Sequence, residues 1–248
     1  MSAAVDYVPS ECTIKSYAPA KIVIGTAPVT KTFSVSVKDC TLSMWSVVLW
    51  PFYDDAPLST KGVAGNYWYW DKSASGTDVK VHLKAKMTLS PKQLSNSYAG
   101  RWPDGGFVKA IGEEDLAKED EDENVVATMA DADLPLTLQR QATFGKSFNA
   151  TPEPVKKGKK ITLKAKLARV NWNGAKALKY VGFNGKVKVQ FKVAGATTYK
   201  TVKTVQATSK GQISTTVKAT KSGSWRFVFA GYSTTSPATS VADAVKVK

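Results

Sequence analysis

Strict alternation of apolar and polar residues runs through most of this chain and restricts it to one kind of building block. Over residues 31–39, Phe33, Val35 and Val37 fall on one side, and Thr32, Ser34, Ser36 and Lys38 on the other. Over residues 79–89, Val79, Val81, Leu83, Ala85 and Met87 alternate with Lys80, His82, Lys84 and Lys86. Successive side chains of an extended backbone point to opposite faces, so a period of two marks a half-buried antiparallel strand. The pattern returns at Ile161, Leu163, Ala165 and Leu167, and at Val187, Val189, Phe191 and Val193, each set interleaved with Lys, Thr or Gln. Further strands are expected over 199–207, 212–219, 224–230 and 241–247. Turn signals separate them: Asn184-Gly185, Ala194-Gly195, Ser209-Lys210-Gly211 and Lys221-Ser222-Gly223. No segment carries a long amphipathic helical stripe. The expected class is all-β.

With a strand before Asn149, the second half holds about seven strands in roughly 100 residues, the count of an immunoglobulin-like sandwich. A chain of 248 residues has room for two such domains. The boundary is expected near Thr143–Lys160, where Pro152, Pro154 and Gly158 interrupt the pattern, giving domains 1–143 and 144–248. The halves echo each other. Gly100-Arg101-Trp102 precedes Phe107-Val108-Lys109-Ala110, as Gly223-Ser224-Trp225 precedes Arg226-Phe227-Val228-Phe229. Each glycine–x–tryptophan is expected to open a late strand with its indole inside. The first half is longer after its tryptophan by about the length of the acidic stretch 112–129, which reads as an insertion. The fold expected is two tandem immunoglobulin-like β-sandwiches.

Charge divides at the same boundary. Residues 1–143 hold 14 basic and 18 acidic side chains, whereas 144–248 hold 21 basic and only 2 acidic ones, a net +19. Of the 35 basic residues, 31 are Lys and four are Arg: Arg101, Arg140, Arg169 and Arg226. Base readout favours the planar fork of Arg, so the balance points to diffuse polyanion attraction and away from sequence-specific nucleic acid. Lys164, Lys166, Lys186, Lys188 and Lys192 fall at outward strand positions and are expected to build one broad positive sheet face. The competing reading is solubility and edge protection.

Several segments of the second half carry a family resemblance. They are Phe148-Asn149-Ala150-Thr151-Pro152-Glu153-Pro154-Val155-Lys156-Lys157-Gly158, Val187-Lys188-Val189-Gln190-Phe191, Tyr199-Lys200-Thr201-Val202-Lys203-Thr204-Val205, Thr215-Thr216-Val217-Lys218-Ala219 and Gly223-Ser224-Trp225-Arg226-Phe227-Val228-Phe229-Ala230-Gly231. They resemble actinobacterial exported proteins with tandem immunoglobulin-like domains, loosely labelled calcium-binding. The likeness covers about residues 143–248 well and 20–110 more weakly. It implies the fold and an extracellular or cell-surface setting, and it supplies no catalytic residues. A phage-borne relative on a virion surface is the alternative setting. The first residues, Met1-Ser2-Ala3-Ala4-Val5-Asp6-Tyr7, lack the basic and apolar regions of a leader, as a mature form with its leader removed also would. No window approaches the ~18 apolar residues of a membrane helix.

Candidate chemistry is sparse. Cys12 and Cys40 form an isolated even pair in a loop-rich β chain, which fits a disulfide made in an oxidising compartment; two unrelated buried thiols are the alternative. His82, the sole histidine, lies among outward lysines with no marked nucleophile or orienting carboxylate. Phosphate-cradling glycine loops, H-E-x-x-H and G-x-S-x-G are absent, so a non-catalytic protein without cofactors is expected. Calcium is the one metal the acidic stretch suggests. Asp120, Asp122, Asn124 and Asp131 match positions 1, 3, 5 and 12 of a twelve-residue calcium loop, but Val125 stands where that loop requires glycine. A solvated charged loop is the plainer reading, and a contact with a basic surface, of the second domain or of a neighbouring copy, is a third. Tyr67-Trp68-Tyr69-Trp70 puts aromatic rings on both faces of an extended segment, more than one sandwich interior accepts, so at least one face is expected to be partly exposed; an interdomain or sheet-end contact is the plainer reading, and a platform for a protein or sugar partner is the functional one. Together these features describe a structural or adhesive module that binds a cell-envelope or virion surface through loops and sheet edges. Neighbouring subunits are possible partners, and a secreted hydrolase accessory is the remaining class.

Overall fold

Alternation becomes strand wherever the chain is described. The computed structural model describes residues 13–18, 20–38, 44–48, 81–102, 107–111, 128–130, 136–173 and 178–248. Among them the regular elements are strands, apart from two single turns of 3-10 helix at Pro91–Gln93 and Asn96–Tyr98. The chain divides into two units, one of Met1–Ile22, Pro28–Gln93 and Arg101–Leu138, the other of Val23–Ala27, Leu94–Gly100 and Gln139–Lys248.

The strands up to Arg140 are β1 (Thr13–Ala18), β2 (Lys21–Ile24), β3 (Val29–Lys38), β4 (Met44–Val48), β5 (Val81–Leu89), β6 (Gly100–Trp102), β7 (Phe107–Ile111), β8 (Thr128–Ala130) and β9 (Leu136–Arg140). In the first unit β3 lies between β1 and β5, with Val35 opposite Tyr17 on one side and Leu83 on the other. A second sheet runs β4-β7-β8, and a further three-stranded sheet runs β2-β9-β6. If β1, β3, β4, β5, β7 and β8 are lettered A, B, C, E, F and G, the two main sheets are A-B-E and C-F-G. That is the partition of an immunoglobulin-like sandwich. Gly100-Arg101-Trp102 does not open the late strand as expected. It forms β6, a strand of its own in another sheet, and the F strand begins at Phe107.

The second unit repeats the partition. Its strands are β10 (Ala142–Thr143), β11 (Asn149–Thr151), β12 (Lys160–Lys166), β13 (Ala168–Asn171), β14 (Lys179–Gly182), β15 (Lys186–Val193), β16 (Lys200–Gln206), β17 (Gln212–Lys218), β18 (Gly223–Phe229), β19 (Ala238–Thr239) and β20 (Asp243–Val245). One sheet runs β11-β12-β17, which is A-B-E; the other runs β16-β15-β18-β19, which is C′-C-F-G, with β20 also on β18. The protein is therefore all-β, built as two tandem immunoglobulin-like sandwiches. A small sheet, β10-β13-β14, is added, its last two strands lying between B and C in the chain and β10 before A. Leu94–Gly100 joins this unit through Asn96, whose side chain accepts from Trp172 N–H (2.9 Å) and whose own N–H donates to Asn173 Oδ1 (2.7 Å).

Period-two patterning decides what is buried. Ile161, Leu163 and Ala165 of β12 face Val187 and Val189 of β15 and Trp225, Phe227 and Phe229 of β18 in one core. Phe148 meets Phe227 edge-on at 4.9 Å, and Phe183 meets Phe229 at 5.4 Å, the offset that ring quadrupoles prefer. Ala150 and Val155, within the stretch where the domain boundary was expected, are buried in the same core. Glycine is required at Gly223, because a Cβ there would lie 2.3 Å from Lys192 O and 2.6 Å from the Phe191 ring. Its bare backbone lets Phe191 fold back on Trp225, ring centroids 4.5 Å apart. The tryptophan of this Gly-x-Trp is inside, as expected, at 4% exposure.

Candidate functional site: a cationic sheet face

The five lysines expected to form one positive face do not share a sheet. Lys164 and Lys166 stand on β12, in the A-B-E sheet, while Lys186, Lys188 and Lys192 stand on β15, in the C′-C-F-G sheet. All but the half-buried Lys192 are exposed. The two sheets enclose the core between them, so their outward side chains look in opposite directions. The single broad face is corrected to two separate faces, because outward pointing fixes only the side of a strand and sheet partnership fixes the face.

The faces differ in kind. On the A-B-E side, register pairs Lys160 with Lys218, Thr162 with Thr216, Lys164 with Ser214 and Lys166 with Gln212. These are flexible ammonium groups and small hydroxyls. On the C′-C-F side, Gln190 pairs across the ladder with Arg226. Gln190 Oε1 accepts from Arg226 Nε at 2.9 Å, and Gln190 Nε2 in turn donates to Thr201 Oγ1 at 3.3 Å. The Arg226 guanidinium lies 3.7 Å from the centre of the Tyr199 ring, and Lys192 Nζ lies 5.3 Å from the same ring. Tyr199 stands just before β16, so three strands converge on one plate.

Local sequence explains the placement. Along β18 the order Ser224-Trp225-Arg226-Phe227-Val228-Phe229 sends Trp225, Phe227 and Phe229 inward and leaves Arg226 on the outer face. The inner rings anchor the strand, and the ring of Tyr199 fixes the guanidinium on the outer side. Stacking uses the face of the guanidinium and Gln190 uses Nε, so the terminal N–H groups carry no protein bond among the described residues. A planar cation held in place, with free N–H edges, suits a carboxylate or phosphate oxygen better than a mobile lysine does. Among the described residues no ion pair neutralises either face. Arg226, Tyr199 and Gln190 were not singled out from the sequence. The available signal was an arginine at the outward position of an otherwise apolar strand, in a chain where lysine outnumbers arginine 31 to four.

The other expected site residues, Cys12, Cys40, Tyr67, Trp68, Tyr69, Trp70, Asp120, Asp122, Asn124 and Asp131, lie outside the described residues. Most of the acidic stretch does too, between β7 and β8. Among the described residues no three His, Cys, Asp or Glu side chains gather as a metal site, and no helix is long and apolar enough to cross a membrane.

No protein-family model matches the chain, and no curated protein sequence does. Solved structures give loose similarities. The D0-D1 domain of intimin is 12% identical over 94% of this chain and 98% of that one, with a TM-score of 0.27. The ligand-binding domain of human OSCAR is 10% identical over 96% of this chain and 98% of that one, at 0.25. A superoxide reductase (neelaredoxin) from Ignicoccus hospitalis is 15% identical over 41% of this chain and 78% of that one, at 0.29. Superpositions this loose say nothing about activity; the immunoglobulin-like assignment rests on the strand order.

Proposed function

We propose that this chain is a non-catalytic structural or adhesive protein of the cell exterior, which holds anionic envelope polymer on the outer face of β16, β15 and β18. The observation that carries this reading is Arg226, stacked on Tyr199 and fixed by Gln190 between Lys188 and Lys192. A basic field draws a polyanion from a distance, and the immobilised guanidinium gives it a place to dock. Contacts of this kind are solvated and few, so the interaction is weak and reversible at any one face, and strength comes from repeated engagement along a polymer.

The test is a titration of the full chain with polyglutamate, alginate and polyphosphate at rising salt. Binding to all three at low salt, with log affinity falling linearly against log salt, supports the proposal. Binding that ignores salt, or that admits only one of the polymers, overturns it in favour of a shaped pocket elsewhere.

A further inference from the structure

Two of the four arginines are drawn into the protein without a counterion. Arg140, at the end of β9, is 7% exposed. Its backbone is fixed on both sides, its N–H donating to Thr234 O (3.1 Å) and its carbonyl accepting from Ser236 N–H (3.0 Å). Its side-chain Nε donates to Val170 O at 2.7 Å. Arg169, on β13, is half-buried; its Nη1 donates to Thr235 Oγ1 at 2.9 Å, and its guanidinium lies 4.7 Å from the Phe183 ring centre. Arg169 stands opposite Ala142 in the β10–β13 ladder. Arg140 reaches the next residue of the same strand, through its bond to Val170 O. The two cations are near enough to feel each other. Burial first, and then Arg169, hold the Arg140 guanidinium down to about 10, still charged at neutral pH. Burial lowers Arg169 against the opposing influence of the Tyr232 hydroxyl.

Buried charges are ordinarily paired, because removing an ion from water is costly. Here neither arginine has a carboxylate partner among the described residues. The only acids after residue 143 are Glu153, which is exposed, and Asp243, whose Oδ2 accepts from Ala150 N–H at 2.8 Å. Among the described residues, the polar side-chain atoms sealed from solvent without a partner are Gln139 Oε1, Arg169 Nε and Trp172 Nε1. Arg140 Nη1, Arg140 Nη2 and Arg169 Nη2 are not among them and bond no described residue, so these three nitrogens reach solvent unpaired.

We propose that Arg140 and Arg169 form a receptor for a small dianionic oxyanion of the phosphate class, beside the segment Tyr232–Ser236. Two fixed guanidiniums supply two charges and several N–H donors, which a dianion satisfies and a single carboxylate half satisfies. The site is separate from the Arg226 face and does not depend on it. Filling it neutralises the paired cations and stabilises the fold by mass action.

Side-chain Nε–Hε resonances of the full chain, titrated with inorganic phosphate, sulfate and acetate, test this directly. The expected result is a saturable shift at Arg140 and Arg169 in millimolar phosphate, while exposed Arg101 stays unmoved, with sulfate following phosphate and acetate much weaker. Arg169→Met should weaken phosphate about tenfold or more. It should also abolish the phosphate-dependent rise in melting temperature, even if Arg140→Met fails to fold. Equal drift of all four arginines, no shift at all, or undiminished binding by Arg169→Met overturns the proposal; tighter binding of acetate than phosphate overturns the choice of a dianion.

Discussion

The two outer faces of the second sandwich carry similar numbers of lysines and differ in what surrounds them. On the A-B-E side, Lys160, Lys164, Lys166 and Lys218 stand among Thr and Ser, and no described residue restrains their ammonium groups. On the C′-C-F side, Lys188 and Lys192 flank a guanidinium pinned between Gln190 and Tyr199. The first arrangement makes a field; the second makes a field and a fixed donor. Charge count alone would rank the two alike. The difference teaches that a polyanion site is recognised by immobilised cations, since a lysine must lose about 2 kcal/mol of rotamer freedom to do what a stacked arginine does already.

The largest expected effect concerns the core that both faces share. Trp225→Ala, beneath the C′-C-F face, should lose ~3–5 kcal/mol, and Leu163→Ala, beneath the other, ~2–5 kcal/mol, both in the unfolding transition of the second unit under denaturant. Separate transitions for the two variants would break the comparison, because the sheets would then not stand on one core. A smaller effect sharpens it. Arg226→Lys keeps the charge and loses the planar stack, so stability should fall by about 0.5–1 kcal/mol, while Lys164→Arg on the opposite face stays neutral. Equal responses would mean that the Tyr199 plate contributes nothing. Salt gives a weaker, global signal: with +19 over residues 144–248 and no ion pair among the described residues, screening should raise the melting temperature of the full chain modestly. A fall on adding salt would show pairing that favours the fold.

The smallest effect lies at the one acidic corner. Glu153, though exposed, is raised from the ordinary carboxylate range by a slight loss of hydration and then by the charge of Asp243. A carboxyl with a raised folded-state pKa adds stability that is present below its unfolded pKa and lost as pH rises through the folded value. Glu153→Gln should therefore stabilise slightly at neutral pH and remove that part of the acid-side slope. An unchanged slope would place the repulsion elsewhere.

How much of this was legible follows from which physical signal each feature leaves. Strands β3, β5, β12, β17 and β18 were readable because one wet face and one dry face force alternation, and the burial of Ile161, Leu163, Ala165, Trp225 and Phe227 follows it. The β13–β14 hairpin was not, although Asn173-Gly174 is a strong turn signal. Leu167 and Ala168 are both buried, so the phase of the pattern flips between β12 and β13 and hides the second run. Val193 was expected inward and is 39% exposed, because β15 slips register against β16 after Val189 and its end runs past the core. The candidate site was only half legible for a different reason. Outward lysines can be picked from a strand pattern, but which strands become neighbours is a property of the whole topology. The Arg226–Gln190–Tyr199 cluster joins positions up to 36 residues apart.

Polymer affinity of paired charge reversals measures the central claim most directly. The full chain would be compared with Lys188→Glu/Arg226→Glu and with Lys164→Glu/Lys166→Glu, each titrated with polyphosphate over a range of salt. Both double variants change the net charge equally, so any difference reports the face and not the total. The account predicts a loss of about tenfold or more for the first pair, with a shallower salt slope, and only a few-fold loss for the second. Equal losses from the two faces would contradict it, leaving a uniformly charged sandwich with no docking place.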